Sequence, residues 1–264
     1  MSVQLSLAAH ADAHSSVAGS LVSKCPVVLA WSGGKDSSLA LAALRADPSV
    51  DVVAVLTTIT RDYDRISIHG VRRAVLEAQV AALGLPLIEV TIPAAATNAA
   101  YEAAFAATLA ALRHERPGVR HIAFGDLFLA DVRAYRERVL PPLGWTPVFP
   151  LWGRDTPALA REFVRVGYRA IITCVDTIQL GAEFAGRQFD ASLLAELPPS
   201  VDPGGERGEF HTCVYAGPIF RYPLPVQAGE RIRRDGRFEY CDVTLVAATA
   251  VNRKPNEVKC ERQN

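Results

Sequence analysis

Closely spaced cysteines are missing from this sequence. Only five occur in 264 residues, and none forms a C-x-x-C pair. This spacing argues against a disulfide framework, a zinc ribbon or a thioredoxin-like redox pair. It predicts a protein of the reducing cytoplasm whose thiols are mostly buried or incidental, with a chemical role left open for Cys174 and Cys213.

An excess of charge of one sign and a long apolar run are also missing. The 28 Lys and Arg balance 28 Asp and Glu, so no long-range field would gather nucleic acid or an anionic membrane. No run approaches the roughly 20 apolar residues that a membrane-spanning helix needs. The sequence predicts a soluble protein without a membrane or nucleic-acid partner. It does not fix the oligomeric state, and a homodimer is one of the states that it allows.

What is present is an alternation of short β-branched or apolar runs with Ala-rich stretches of helical period, starting at Cys25. Such alternation is typical of βαβ units around a parallel sheet. The predicted fold class is α/β, with a Rossmann-like parallel sheet followed by a second, smaller α/β domain. In the first half the predicted strands are 26–31, 52–58, 87–92 and 121–124, and the predicted helices are 37–45, 71–83, 98–113 and 131–140.

The proline-rich segment 141–150 is the predicted domain junction, because its prolines suit neither a helix nor a central strand. The predicted units are a loose leader at 1–24, a first domain at 25–145, a second domain at 146–251 and a polar tail at 252–264.

In the second half, Thr156 is the predicted N-cap of a helix that runs to about residue 166, with Pro157 as its first residue. The predicted strands there are 168–175, 210–215 and 238–251.

The most informative segment is SGGKDSS at residues 32–38, between an apolar strand and a helix. Its glycines let backbone N–H groups approach phosphate oxygens closely, and the helix N-terminus adds partial positive charge. Lys35 is a movable cation for a phosphate, and Asp36 could cap the helix or hold Mg²⁺ through water. A plain turn would need the glycines without these neighbours. The residues predicted to bind the anion are Ser32, Gly33, Gly34, Lys35, Asp36, Ser37 and Ser38.

This segment resembles the PP-loop of the N-type ATP pyrophosphatases, enzymes that split ATP between its α and β phosphates. Further segments are similar to one branch of them, the diphthine–ammonia ligase family. These are RISIHG at 65–70 with LGLPL after it, HIAFGD at 121–126, PLWG at 150–153 with Gly186 and Arg187 later, and DPGGERGEFHT at 202–212. The resemblance implies an adenine nucleotide alpha hydrolase-like fold in the first domain, with ATP and Mg²⁺ as cofactors.

The resemblance also implies roles for individual residues. The implied catalytic residues are Lys35, Asp126, Glu209 and His211, and the implied metal ligand is Asp36. Further ATP contacts would come from Thr57, Ser67, His69 and Gly70, and substrate contacts from Gly125, Arg154, Arg187, Glu206 and Thr212.

Simpler interpretations stay open for several of these residues. Ser67 and Gly70 would also suit a turn before a helix, and so would Asp126. Arg154 and Arg187 could be ordinary surface arginines. Taken from the residues alone, the segment with Glu209 and His211 would be a solvated loop.

The implied reaction is an AMP-forming amide ligation, in which ATP adenylates a carboxylate and ammonia then displaces AMP. The acceptor could be modified elongation factor 2 or a small molecule. Gly204, Arg207 and Cys213 depart from the family signature and leave the acceptor open. Two alternatives remain: a PP-loop enzyme that modifies or thiolates tRNA, which would favour a basic face and a cysteine pair, and a non-enzymatic nucleotide-binding module.

Overall fold

The computed structural model describes residues 24–246. Apart from Lys24, the predicted leader lies outside these residues, as do the polar tail and the end of the predicted strand 238–251. The helices are α1 (Lys35–Ala46), α2 (Arg73–Leu83), α3 (Asn98–Glu115), α4 (Ala130–Val139), α5 (Thr156–Arg165) and α6 (Ala191–Glu196). The strands are β1 (Cys25–Ala30), β2 (Val50–Thr60), β3 (Arg65–Ile66), β4 (Leu87–Ile92), β5 (His121–Ala123), β6 (Thr146–Val148), β7 (Arg169–Asp176), β8 (Phe210–Ala216), β9 (Val226–Arg234) and β10 (Phe238–Leu245).

The first half forms the predicted Rossmann-like sheet, which we call sheet A. Strands β4, β2, β1, β5 and β6 lie side by side and are parallel, and the short β3 pairs with the end of β2 in the antiparallel direction. The chain moves outward from β1 to β2 and later returns to the other side of β1 with β5. Ligands of open α/β sheets bind where the strand order reverses in this way, at the carboxyl ends of the strands.

The edge strand β6 lies beyond residue 145, where the first domain was predicted to end. It pairs with β5 in the register His121 to Thr146 and Ala123 to Val148. Pro147 is tolerated there because an edge strand need not donate from every backbone nitrogen. Sheet A therefore includes part of the proline-rich segment.

The second half forms a smaller antiparallel sheet, which we call sheet B, in the order β8, β7, β10, β9. Its strand β9 was not predicted. Almost every side chain of this strand is exposed, so its sequence VQAGERIRR lacks the apolar alternation that indicates a strand.

The predicted N-cap of α5 is wrong by one residue. Asp155 is the N-cap, and its carboxylate accepts a hydrogen bond from the Ala158 N–H at 2.8 Å. Thr156 is already helical, and its hydroxyl donates to Asp202 at 2.6 Å. The carboxylate takes the capping position because the threonine hydroxyl has this tertiary partner.

The two halves share one apolar core. A single cluster joins Leu41 of α1 and Leu76 of α2 to Phe163 of α5 and Ile172 of β7. A second cluster, which includes Leu109 of α3, fills the other face of sheet A. The carboxyl edge of β1 is therefore held against sheet B. Over residues 24–246, no helix combines the length and the apolar character needed to cross a bilayer.

Candidate active site

The PP-loop connects β1 to α1 at the carboxyl edge of sheet A. Gly33 has a φ of +76°, a conformation that favours glycine. Gly34 is the N-cap of α1, and no side chain caps the helix there. The first-turn amides of a helix have no partner within the helix, so this end is suited to an anion.

The serine hydroxyls shape the loop from within. Ser37 and Ser38 each donate to the Gly34 carbonyl at 2.9 Å. Ser32 lies 3.3 Å from the Ser37 hydroxyl. These three predicted ligands lie together, but the hydroxyl groups of Ser37 and Ser38 already donate their hydrogen bonds to a backbone carbonyl.

Lys35 is the only residue of the loop whose charge is both buried and paired with the second half. Its side chain is 5% exposed, and its ammonium contacts Asp36 and lies 2.8 Å from Glu206 Oε1. Burial by itself would lower the pKa of Lys35, but the carboxylates of Asp36 and Glu206 outweigh it and raise that pKa above its ordinary value. The lysine therefore carries its charge at neutral pH.

Glu206 responds to the same burial in the opposite sense. Loss of water raises its pKa to about 8, with Lys35 opposing the rise and Asp36 adding to it. Keeping Lys35, Asp36 and Glu206 all charged in a buried site costs free energy. Glu206, which is less exposed than Asp36, is the carboxyl group that binds a proton. The structure thus brings together Lys35, Asp36 and Glu206.

Strand β8 of sheet B lies directly against the PP-loop. The Lys35 N–H donates to Thr212 Oγ1 at 3.0 Å, and the Val214 N–H donates to the Gly33 carbonyl at 2.8 Å. A Cβ at Gly34 would lie 3.1 Å from the Thr212 carbonyl oxygen. Thr212 therefore positions the loop. The role implied for it by the resemblance was substrate contact.

Gln79 is a site residue that the sequence analysis missed. It is fully buried and donates to the Gly33 carbonyl at 3.0 Å and to the Val214 carbonyl at 2.6 Å. Its own oxygen accepts from the Trp31 indole at 3.1 Å. The available signal was one polar residue within the apolar stripe of α2, where a buried amide needs all its partners.

His69 and His211 come from different halves and meet at the site. Their ring centroids are 4.5 Å apart, with the rings tilted by 42°. Burial lowers the pKa of His211 to about 4 and that of His69 well below its usual value. Lys35 contributes to both shifts. Both imidazoles are therefore uncharged at neutral pH.

Gly125 allows β5 to approach the PP-loop closely. A Cβ there would lie 2.9 Å from the Asp36 carbonyl carbon and 3.1 Å from the Ser37 nitrogen. Asp126 follows, but its carboxylate is bound by Arg136 through two contacts, one of 3.2 Å. Asp126 thus lies at the predicted crevice with its charge already paired.

Glu209 is placed differently from its implied catalytic role. It is 1% exposed, and its two oxygens accept the N–H groups of Asp202 and Arg207, each at 2.8 Å. It lies just before β8 begins, outside the strand that carries His211. Its carboxylate holds the loop that carries Glu206.

The remaining predicted residues are not gathered at the PP-loop. Arg154 pairs with Glu162 and Arg187 pairs with Glu196, both at the surface. The buried Thr57 donates to the Trp31 carbonyl, and Ser67 bonds Thr60. Gly70, with a φ of +69°, packs against Tyr240.

Cys174 and Cys213, the two cysteines with a chemical role left open, are both buried. Burial raises the pKa of Cys174 to about 11 and that of Cys213 to about 12. Thiols of this kind stay protonated and are poor nucleophiles at neutral pH.

The site fits Mg²⁺ that arrives with a nucleotide. Within residues 24–246 no group of three or more metal-ligating side chains exists, but Mg²⁺ in phosphate sites takes only one or two carboxylates. Asp36 and Glu206 supply two carboxyl groups beside Lys35. Asp36 is the more accessible of these, with a side chain 35% exposed.

A cleft of about 270 Å³ lies between the two halves, beside His69. Ser67, Ile68 and Gly70 line it from the first half, and Ile232 and Tyr240 line it from sheet B. Ile68 is 73% exposed and Ile232 is 44% exposed. The lining also includes charged side chains, among them Arg65, Arg234 and Asp242, so the cleft is of mixed polarity.

Comparison with known families matches both halves of the chain. Residues 25–147 match the model described as diphthamide synthase N-terminal domain, and residues 155–247 match that described as diphthamide synthase C-terminal domain. Curated proteins give no significant match.

Proposed function

Because the chain belongs to the diphthamide synthase family, enzymes of the PP-loop ATP pyrophosphatase type, we propose that it is an AMP-forming amide ligase. A carboxylate oxygen of the acceptor attacks the α-phosphorus of ATP, and the bond to pyrophosphate breaks. Ammonia then attacks the carbonyl carbon of the acyl-adenylate, the bond to AMP breaks, and an amide remains.

The observation that carries this proposal is the buried ammonium of Lys35 at the start of α1, where the N-cap residue is a glycine. In ligand-free protein it is held by Asp36 and Glu206. The phosphates of ATP are stronger anions, and they would take Lys35 from Glu206 while the loop amides bind the phosphate oxygens. Lys35 then neutralises the departing pyrophosphate, which is where negative charge accumulates in the first step.

Asp36 and Glu206 are the residues that would hold Mg²⁺. The ion would supply positive charge that offsets the negative charge of the phosphates. Once Lys35 has moved to the phosphates, Glu206 would be without its cationic neighbour and free to act as a ligand. His211 is the proposed acceptor for a proton of the attacking amine.

The cleft beside His69 is the proposed entrance of the acceptor. It is lined by Ile68 and Gly70, the two neighbours of His69 in the chain, and its volume of about 270 Å³ has room for the part of the acceptor that carries the carboxylate. We propose either modified elongation factor 2 or a small molecule as that acceptor, in the cytoplasm where ATP is available.

We also propose that the ATP-binding domain extends through β6 and that the acceptor domain begins near residue 155. The pairing of β6 with β5 supports this boundary. The interval 148–154 between the two family matches supports it as well.

The test follows α-labelled ATP with Mg²⁺, ammonium and a small-molecule extract of the source cells. We expect extract-dependent AMP and pyrophosphate, and a loss of about 10²-fold to 10³-fold in Lys35→Ala. The control is Lys24→Ala, which removes an exposed lysine near the start of β1 and should leave the rate unchanged.

Three results would contradict the proposal. ADP as product would place the cleavage elsewhere, and equal turnover in Lys35→Ala would remove the loop from the chemistry. ATP binding without cleavage, even after addition of purified elongation factor 2 carrying the modified histidine, would favour a nucleotide-binding module.

A further inference from the structure

We infer that His69 and His211 act as one proton-accepting pair and that Asp242 positions His69 within it through two arginines. The inference rests on the proposed ligase function. It goes beyond that function in giving His69 a part in amine activation instead of nucleotide contact, and in giving a role to a carboxylate of β10.

The loop that carries His69 is tied to sheet B by one carboxylate. Arg65 Nη1 lies 2.8 Å from Asp242 Oδ1, and Arg72 binds both oxygens of Asp242 at 2.6 to 3.0 Å. Arg65 also donates to the Gly70 carbonyl at 2.7 Å. Both ends of the loop, and the residue next to His69, therefore depend on Asp242.

The loop between Arg65 and Arg72 has a strained backbone, which the contacts with Asp242 hold in place. Ile68 has a φ of +69°, which is strained for a β-branched side chain. The side chain of Ile68 is largely exposed, so its burial does not offset the free-energy cost of the strained backbone. Tyr240 closes the other side, since a Cβ at Gly70 would lie 2.9 Å from its ring. The strained turn directs His69 inward.

In this inward position His69 can contact both His211 and a bound ligand. Its ring lies 4.5 Å from that of His211, and His69 Nδ1 is buried without a hydrogen-bond partner among the described residues. A buried nitrogen that lacks a partner is costly and is found where a ligand supplies one. Both imidazoles are uncharged in ligand-free protein, which is the state that accepts a proton.

The nucleotide would make the pair more basic. The charged groups that act on it are Lys35 and Asp36 of α1. Arg65, paired with Asp242, donates to the Gly70 carbonyl on one side of His69, and the Tyr240 hydroxyl lies 3.5 Å from the Ile68 carbonyl on the other. Bound phosphates add negative charge and favour imidazolium. An ammonium ion gives one proton to an imidazole nitrogen before it attacks. As the carbon–nitrogen bond then forms and the bond to AMP breaks, the second proton leaves with the phosphate of AMP.

The test compares two nucleophiles in the AMP-forming assay with the same extract. Ammonia is mostly ammonium at pH 7, whereas hydroxylamine is mostly uncharged and needs no proton removed before it attacks. We expect His69→Gln to slow AMP formation about 10²-fold with ammonium. With hydroxylamine the loss should be less than about tenfold. Asp242→Asn should show the same selectivity, with a loss of about 10-fold to 100-fold with ammonium.

The matched control is Glu239→Gln. Glu239 lies on the same strand, pairs with Arg233, and has a side chain 14% exposed against 17% for Asp242. A second readout needs no turnover: the imidazole nitrogen signals of His69 in the NMR spectrum of ligand-free protein. Asp242→Asn should shift them, and Glu239→Gln should not.

Equal losses with both nucleophiles in His69→Gln would overturn the inference and favour nucleotide contact. Unchanged His69 signals in a folded Asp242→Asn would overturn the positioning role. Wild-type protein that forms AMP with neither nucleophile would instead overturn the proposed function, and this inference with it.

Discussion

Two clusters of charge in this molecule use buried carboxyl groups in opposite ways. At the corner of sheet B, Asp176 is 1% exposed and accepts hydrogen bonds from Arg237, Gln179 and the Ile178 N–H. The Arg237 hydrogen bonds hold its pKa well below the usual range. At the PP-loop, Glu206 has Lys35 as its ion-pair partner and a raised pKa of about 8.

The difference separates a structural carboxylate from one that is available for chemistry. Asp176 has a partner for each oxygen, so its charge is satisfied by the fold alone. Glu206 shares a single lysine with Asp36, and a ligand that takes the lysine removes the cation that holds the pKa of Glu206 down. Perturbed pKa values of this kind cluster at functional sites.

The largest expected effect on stability belongs to the first cluster. Asp176→Ala removes the acceptor of four hydrogen bonds and should lower the free energy of unfolding by about 3 kcal/mol. ATP affinity should not change, because none of these contacts reaches the PP-loop. Urea unfolding and ATP titration check the two expectations. A large loss of ATP affinity in the folded variant would show that the clusters are coupled.

The next effect is a pH dependence that belongs to Glu206. Its folded pKa is raised, so its contribution is complete below the unfolded value near 4.3 and is lost as pH rises toward 8. Between pH 7 and 8, stability of wild-type protein should fall by up to about 1.4 kcal/mol per pH unit. The depressed pKa values of His69, His211 and Asp176 act mainly below this interval, because an unfolded histidine titrates near 6.5 and an unfolded aspartate lower still.

Glu206→Gln is the variant that checks this slope. It cannot titrate, so its free energy of unfolding should stay level over the same interval in urea melts. Glu239→Gln serves as the control and should retain the wild-type slope. The same slope in Glu206→Gln would assign the titration to another group.

A smaller effect is expected for Glu209→Gln, which replaces one of two backbone acceptors with a donor. We expect a loss of about 1 to 2 kcal/mol of stability, together with about tenfold slower AMP formation, because the loop with Glu206 is displaced. Unfolding and turnover should change together. Unchanged stability with a loss of 10²-fold or more in turnover would restore the direct acid–base role.

The smallest effect is expected for Arg187→Ala. Its partner Glu196 is exposed, and such surface pairs contribute about 0 to 1 kcal/mol. AMP formation should match that of wild type if Arg187 lies outside the active site. A raised acceptor KM with unchanged kcat would return Arg187 to the substrate site.

Much of sheet A was predictable because its determinants are local. All four predicted strands and all four predicted helices are present, with small shifts at their ends, and Gly84 ends α2 in the left-handed conformation as predicted. The strand β9 and the N-cap of α5 could not be predicted from the sequence. An exposed strand has no apolar pattern to read, and the partner of Thr156 is Asp202, 46 residues away.

The candidate site divides in the same way. The PP-loop was predictable, since glycines before a helix and a lysine among serines have a local physical meaning. The contacts of Gln79 and the use of Glu209 as a loop anchor were not, because both depend on which backbone groups lie opposite. Neither could Arg154 and Arg187 be distinguished from surface residues without their partners.

The sequence by itself determined that this is an α/β protein with a loop of the PP-loop type, because strand and helix periodicity and turn chemistry are properties of neighbouring residues. Only the tertiary structure decided that Lys35 meets Glu206 and that His69 meets His211. The two members of each pair come from different halves of the chain. Burial sets their pKa values, and burial exists only after both halves have packed on one core.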